Sequence, residues 1–336
     1  MEEKGVKHLP ERIRVSVGSA MVLGLLGGIL DAAPTTVYLL TYREGKCLAN
    51  CGFCPQARKS SSRADMLARV TWPTFSTEVV IEKISRSAEK GDIQRVCIQA
   101  LNYTEVFDDV LSLAKAIHSS SNVPISVSCQ PLNVSQLKEL AEIGVNRVSI
   151  ALDATTEELF DEVKGSLAQS PYTWQQNRKA LEEAVGVFGK NQVSTHLIVG
   201  LGETEKEIIE AIQWCTDFGV YPGLFAFTPI TGTRLESIPQ PPIQVYRRVQ
   251  LAHYLLVQGK TRCQNMSFDR EGHIIDFGVP RPLLRNSVES GIAFQTSGCP
   301  GCNRPYYNES PSGPIYNYPR KLKQNELAKV EKQFEV

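Results

Sequence analysis

Excess charge is the first thing this sequence lacks. Lysine plus arginine and aspartate plus glutamate each number 36 among 336 residues, so no global field of either sign steers the chain to nucleic acid or to an anionic membrane surface. A small substrate or a protein partner is the expectation that remains. Apolar runs of membrane-spanning length are missing too. The nearest candidate, SVGSAMVLGLLGGILDAAP from Ser16, is shaped like a signal peptide, but Glu2, Glu3 and Glu11 stand among the bases before it, and Asp31 cuts it short of about 20 residues. It reads as a buried N-terminal helix. Internal repeats and low-complexity linkers are absent, which leaves no sign of a repeat array. An even, disulfide-ready cysteine set is also lacking. The nine cysteines are an odd count, several lie inside strand-like runs, and a reducing, cytoplasmic compartment is expected.

What the sequence does contain is a regular alternation of strand and helix patterns. Strands are expected at TVYLLTY from Thr36, RVCIQAL from Arg95, PISVSCQ from Pro124, RVSIALD from Arg147, QVSTHLIVGL from Gln192 and YPGLFAFTPI from Tyr221. A seventh falls around Arg262 to Phe268 and a short eighth around Ala293 to Thr296. Helices separate them, with Asn133 near one expected start and Gly219 at one expected stop. The pattern predicts an α/β fold, a (β/α)8 barrel of the TIM type, which typically needs about 250 residues. The expected division is an N-terminal helical segment over 1–35, the barrel over 36–304, and an irregular tail with a last charged helix over 305–336. Right-handed crossovers would put every loop that follows a strand on one rim, where barrel enzymes place their chemistry.

The loop after the first strand carries KCLANCGFCPQARKS from Lys46, with Cys47, Cys51 and Cys54 inside eight positions. Three thiols are too many for one disulfide and one short of a four-thiolate zinc site. A zinc knuckle borrowing a ligand, or three buried cysteines that happen to be close, are the plain alternatives, and the position on the catalytic rim disfavours both. Three thiolates on a four-iron cluster leave one iron open to another ligand.

CLANCGFC has the C-x3-C-x2-C pattern of the radical S-adenosylmethionine (SAM) enzymes, which it resembles down to the aromatic Phe53 before the last cysteine. The resemblance implies a [4Fe-4S] cluster on Cys47, Cys51 and Cys54, with SAM chelating the open iron and yielding a 5′-deoxyadenosyl radical on one-electron reduction. HLIVGLGETEKE, from His196, is similar to the superfamily's fifth-strand motif G-x-I-x-G-x-x-E, with Ile198, Gly200 and Glu203 in place and His196 where the first glycine would be. An ordinary strand-to-helix turn accounts for the same letters. IALDATTEELFD, from Ile150, resembles the fourth-strand segment of biotin synthase whose acid binds the SAM ribose; Asp153 matches, and Ala151 stands where that family has asparagine. TPITGT, from Thr228, is like the sixth-strand stretch that meets the adenine, and the resemblance puts Phe53 near the adenine too.

Six cysteines remain. Cys215 reads as a small core residue on a helix. Cys97 and Cys129 lie on adjacent expected strands, in the places of two cluster-ligating cysteines of biotin synthase, while Ser194 stands in the place of that family's third. GCPGC supplies Cys299 and Cys302 on what Pro300 and Gly301 favour as a tight turn. Cys97, Cys129, Cys299 and Cys302 rank ahead of Cys263 as ligands of an auxiliary iron-sulfur cluster; structural zinc or a redox-active C-x-x-C remains open for the last pair. His196, Tyr103 and Gln99 are candidates for the barrel lining.

From about Thr36 to Phe268 the chain resembles the biotin-synthase-related branch of the superfamily. The departures at Ala151, Ser194 and His196 and the GCPGC tail set it apart from biotin synthase itself, and in overall segment similarity it most resembles the archaeal two-component lipoyl synthase subunits. That resemblance implies sulfur insertion into a protein-bound octanoyl chain, with the octanoylated lipoyl carrier protein as substrate, a second radical SAM subunit, and a low-potential electron donor. Biotin-synthase-like sulfur insertion and a non-catalytic electron-transfer subunit are the alternatives. The basic tail RKLKQNELAKVEK, from Arg320, is a candidate to meet an acidic carrier.

Overall fold

Strand and helix alternate because runs with apolar period two give way to runs with period 3.6 at nearly every loop. The computed structural model describes residues 9–334. It opens with β1 (Arg12–Val15), α1 (Val17–Val22) and β2 (Thr36–Thr41), then a small hairpin, β3 (Met66–Leu67) and β4 (Val70–Thr71), and β5 (Thr74–Ser76). The regular alternation follows: α2 (Thr77–Glu89), β6 (Arg95–Gln99), α3 (Val106–Ser120), β7 (Ile125–Cys129), α4 (Val134–Glu142), β8 (Val145–Ile150), α5 (Glu157–Val163), α6 (Trp174–Phe188), β9 (Val193–Val199), α7 (Glu205–Phe218), β10 (Val220–Ala226) and α8 (Ile243–Val257). A second hairpin, β11 (Ser267–Phe268) and β12 (Ile274–Asp276), precedes α9 (Arg281–Glu289) and α10 (Gln324–Gln333). The Asn133–Gln136 and Thr204–Glu207 capping boxes start α4 and α7, and Gly219 ends α7 in the left-handed conformation.

One sheet of eight strands holds the molecule together, in the order β10-β9-β8-β7-β6-β2-β1-β5. The six from β2 to β10 are parallel; β1 runs antiparallel between β2 and β5. The α/β fold with a mostly parallel sheet is the one expected, but its strand count differs. The expected seventh strand is a 3-10 turn, Cys263–Asn265, followed by β11, which pairs only with β12; the expected eighth contains the 3-10 turn Ile292–Phe294. Both runs are too short and too interrupted by polar or turn residues to extend the ladder.

The gap is filled by chain without strand structure. The Leu224 N–H of β10 donates to Ser297 Oγ (2.7 Å), while Thr35 Oγ1 and Thr36 Oγ1, at the start of β2, donate to Gly301 O (2.5 and 3.1 Å). Residues 297–301 therefore bridge the two ends of the parallel set, so the sheet is strongly curved. The N-terminal segment also differs from the expected buried helix. Helix persists only over Val17–Val22, and the glycines at 24, 27 and 28 break it. The following apolar loop is exposed, with Ile29 at 99%. The first eight residues of the expected segment lie outside the described residues.

Parallel strands buried on both faces usually read as unbroken apolar runs. Here β6 to β9 alternate instead. Val96, Ile98, Val127, Val148, Ile150, Val193 and Leu197 face outward under the helices, whereas the intervening positions are polar. In register across the inner face run Gln99, Ser128, Ser149, Ser194 and Tyr221, above a row of Tyr38, Cys97, Ser126 and Arg147. An ordinary barrel fills this face with valine, isoleucine and leucine. Small polar residues leave it hollow.

Candidate active site

The hollow is a cavity of about 320 Å³ enclosed by the inner faces of β2 and β6 to β10, the loop after β2, and residues 297–308. Seven of the nine cysteines reach it: Cys47, Cys51, Cys54, Cys97, Cys129, Cys299 and Cys302. Cys215 is buried on α7, and Cys263 sits on its 3-10 turn with its N–H donating to Gln213 Oε1, away from the cavity. All nine are free thiols.

Backbone hydrogen bonds fix the loop of Cys47, Cys51 and Cys54, and Cys47 and Cys51 also pack in the cluster of Tyr38, Leu40 and Trp72. The Cys47 N–H donates to Gln56 O (3.0 Å), Cys54 N–H to Cys51 O (3.1 Å) and Gly52 N–H to Val163 O (2.7 Å). Asn102 N–H donates to Cys47 Sγ (3.1 Å). Asn50 locks the loop to its neighbour by donating through Nδ2 to Ala168 O (2.7 Å). Burial pushes the Cys51 thiol up to about 12, with Lys164 pulling the other way, and burial pushes Cys54 up as well. Such thiols ionise only against a strong local positive charge, which bound iron supplies. Among the described residues, only Asp269, Glu271 and His273 bring three ligand atoms within 4.8 Å of one another. At least one pair among the three thiols therefore stands more than 4.8 Å apart, wider than the roughly 4.6 Å that one zinc ion spans; a multi-iron group suits them better.

Beside this loop, Asp153 follows β8 with φ at 66° and bonds by N–H to His196 O (2.8 Å). Its carboxylate accepts from Lys164 Nζ (2.6 Å), and both side chains are at most 10% exposed. Lys164 also donates to Ala151 O (2.6 Å) and lies 5.4 Å from the Tyr172 ring centre. Phe53 and Ile198 pack against the apolar cluster of Phe160, Leu201 and Phe227. Gly200 and Glu203 do not line the cavity. Glu203 folds back to accept from the N–H groups of Gly200 (2.6 Å) and Leu201 (3.0 Å), and a Cβ on Gly200, whose φ is 102°, would stand 2.8 Å from Pro241 Cδ. They shape the loop that carries Ile198. Thr228 lines the wall, its hydroxyl donating to Asn308 O (2.9 Å). His196 and Gln99 line it too; Tyr103 instead donates to Asp109 Oδ2 (2.6 Å) outside it. Burial pushes His196 down to about 4, so its ring is neutral at physiological pH.

A second group of thiols sits deeper. Cys97 is level with Tyr38 in register, three residues or about 10 Å below the end of β2. Tyr38 hydroxyl lies 3.2 Å from Cys302 Sγ, and Ser126 Oγ lies 3.8 Å from Cys299 Sγ. Because Ser126 neighbours Cys97 across β6 and β7, these contacts bring Cys97, Cys299 and Cys302 to one place. A Cβ on Gly298 would stand 3.2 Å from Cys302 Sγ, so the glycine keeps the turn tight around the thiol. Cys129 is not brought to this group. It is out of phase with Ser126 and Ser128 on β7, pairs with Ile150, and packs against the outer apolar layers. Its thiol is pushed up to about 12 by burial alone.

Three cations surround the deep thiols. Arg95 donates to Pro300 O (3.2 Å) and Ser126 Oγ (2.9 Å); Arg304 stacks 3.8 Å from the Phe225 ring centre; Arg147 follows Ser126 in register. The Nε atoms of Arg147 and Arg304 are buried without a partner. An orphaned charged donor is costly, and an anionic group at the thiols would relieve both. Sequence reading missed Lys164 and these arginines. Arg95 and Arg147 were findable, because each lies near the start of a strand at the inward parity; Lys164 had no such signal, only the need of Asp153 for a counter-charge.

A deep, cysteine-lined hollow inside a curved parallel sheet defines a cofactor-dependent α/β enzyme. The profile of the Radical SAM superfamily matches residues 45–215, and the chain belongs to that superfamily. Members work with a [4Fe-4S] cluster and S-adenosylmethionine. Its curated relatives include the biotin synthases of Synechococcus sp. (strain WH7803), 24% identical over 251 residues covering 70% of this chain and 71% of that protein, and of Synechococcus sp. (strain RCC307), 26% identical over 239 residues covering 67% of each. These put it in the biotin-synthase-related branch. Among solved structures, methylornithine synthase (PylB) matches with a TM-score of 0.50 at 16% identity, over 89% of this chain and 80% of that one. The hydrogenase maturase HydG from Carboxydothermus hydrogenoformans matches with a TM-score of 0.50 at 16% identity, over 72% of this chain and 55% of that one. Both share the fold. No helix among the described residues is long and apolar enough to cross a membrane.

Proposed function

We propose that this radical SAM enzyme inserts sulfur at an unactivated C–H bond, with Cys47, Cys51 and Cys54 holding the [4Fe-4S] cluster and Cys97, Cys299 and Cys302 holding an auxiliary iron-sulfur group. The observation that carries the reading is the pair of three-thiol groups at two levels of one cavity. When bound, the first cluster and SAM supply a 5′-deoxyadenosyl radical, and the second group supplies sulfide to the substrate carbon.

The protein's own part is placement. Asp153, fixed by Lys164, is positioned to meet the ribose; Phe53, Ile198 and the Thr228 segment offer an apolar slot to the adenine. The enclosing cavity wall that spans both levels keeps water from a carbon radical. Arg95, Arg147 and Arg304 offset the charge of the deep group. Cys129 drops out of the proposed ligand set on its orientation, leaving three thiols there, not four.

The proposed substrate is an octanoyl chain on a lipoyl carrier protein, acted on with a second radical SAM subunit, which rests on the sequence resemblance to two-component lipoyl synthases. Biotin-synthase-like insertion into a small molecule is the second reading, favoured by the curated relatives. Part of the basic tail is spent internally, because Arg320 is paired with Glu326 (2.8 Å).

Iron and acid-labile sulfide per chain, with Mössbauer spectra, test the two-site reading on anaerobically reconstituted protein. Cys47→Ala/Cys51→Ala/Cys54→Ala should keep roughly half the iron as a distinct species and lose SAM cleavage. Cys97→Ala/Cys299→Ala/Cys302→Ala should keep cleavage and lose sulfur transfer. A first variant without iron would leave a single cluster and sink the proposal.

A further inference from the structure

The reaction requires one electron from outside for each SAM cleaved, and the outer surface of the Cys47–Cys54 loop has the features of a place to receive it. Leu48, directly after Cys47, is 42% exposed although its neighbours Cys47 and Ala49 are buried. Leu167, on the adjoining turn, is 68% exposed. The two turns are joined, since Asn50 Nδ2 donates to Ala168 O (2.7 Å) and Arg58 Nη2 donates to Gln169 O (3.1 Å).

On these turns and over the cluster loop stand Arg58, Lys59 and Arg234, all exposed. Arg58 and Lys59 bond to backbone carbonyls and to the Gln169 amide, and Arg234 to the Glu162 carbonyl. None of the three forms an ion pair among the described residues. Arg234 lies directly over the cluster loop: a Cβ at Gly52 would stand 2.8 Å from its Nη2. That glycine separates Cys51 from Phe53, and it lets an uncompensated guanidinium settle on the loop's outer side. Helix α5, with Glu157, Glu158, Asp161 and Glu162, bounds this cationic face on one flank.

From this juxtaposition we propose that Leu48, Arg58, Lys59, Leu167 and Arg234 form the docking face for an acidic one-electron carrier protein. The inference rests on the reading that Cys47, Cys51 and Cys54 hold the [4Fe-4S] cluster. The carrier is oxidised by one electron, the cluster is reduced by the same electron, and no proton or atom is exchanged. Apolar contact at the two leucines and charge at the three cations suit a brief, salt-sensitive encounter, and the α5 carboxylates fix its orientation by repelling a misaligned acidic surface.

The test uses full-length protein, with and without reconstituted clusters, and a bacterial flavodoxin as the probe, its binding followed by flavin fluorescence. Binding to both forms should weaken as NaCl rises from about 50 to about 300 mM. In Arg58→Glu/Lys59→Glu the dissociation constant should rise at least tenfold, and in Leu167→Asp severalfold. SAM cleavage driven by dithionite, which needs no docking, should stay within twofold of wild type while flavodoxin-driven cleavage falls with binding. Unchanged flavodoxin binding in both variants overturns the proposal. So does equal loss of dithionite-driven and flavodoxin-driven cleavage with binding intact, because the cations would then be supporting the loop. If wild type binds flavodoxin at this face yet cleaves no SAM with dithionite, the docking face stands and the assignment of the cluster ligands falls.

Discussion

At the scale of single residues, the Asp153–Lys164 pair is the site's sharpest commitment. Both charges are nearly removed from water and bonded at 2.6 Å, and removing one partner from such a pair is far costlier than removing both. Lys164→Met should lower stability by about 3–5 kcal/mol in urea unfolding, with Asp153→Asn added on top recovering most of the loss. A double variant no better than the single would show that the ammonium matters through Ala151 O and the Tyr172 ring, and not through Asp153. Cys129 teaches the converse lesson about position. Its place in sequence matched a ligand of a related family, yet it stands one residue out of phase with Ser128 at the end of β7, so it borders the cavity without joining Cys97, Cys299 and Cys302.

At the scale of elements, the turn from β9 into α7 converts backbone geometry into support for Ile198, which lines the cavity proposed to take SAM. Gly200 has φ at 102° with Pro241 Cδ closing off any side chain, and the Glu203 carboxylate clamps two N–H groups. Gly200→Ala should cost about 1–3 kcal/mol from the backbone alone, with crowding added, and should weaken SAM binding through Ile198; thermal unfolding and calorimetric titration of SAM read the two effects. An alanine that changes neither would mean the loop can relax. Elements of this kind were largely legible in the sequence. The six parallel strands, the Asn133 cap and the Gly219 stop follow from local pattern, and so does the loop carrying Cys47, Cys51 and Cys54. The supposed seventh and eighth strands were not legible, because four to seven residues of mixed polarity fit a turn as well as a ladder. The N-terminal helix is shorter than expected for a related reason: apolar content suggested burial throughout, while three glycines between 24 and 28 removed the helical preference after Val22.

At the scale of the whole molecule, closure depends on chain that is neither strand nor helix. Residues 297–301 join β10 to the start of β2, and Glu309 is buried a few residues further on. Burial pushes the Glu309 carboxyl up to about 8, with Arg304 and Arg247 opposing. Between the ordinary carboxylate range and that value the folded chain holds a proton that the unfolded chain releases. This stability is therefore complete at acid pH and is lost as pH rises toward 8, with a slope of at most about 1.4 kcal/mol per pH unit. Thermal midpoints of wild type should fall from pH 5.5 to 8.5, relative to Glu309→Gln, in which that slope should be missing; parallel curves would mean that Glu309 is ionised throughout. The same closure sets an order of events during synthesis. Some 245 residues separate Cys54 from Cys299, so at about 5–20 residues per second the first thiol loop leaves the ribosome roughly 12–50 s before the turn that completes the deep group. Until that turn arrives, Cys97 faces an open trough, and the two groups of thiols proposed to hold iron are completed at different moments in the life of the chain.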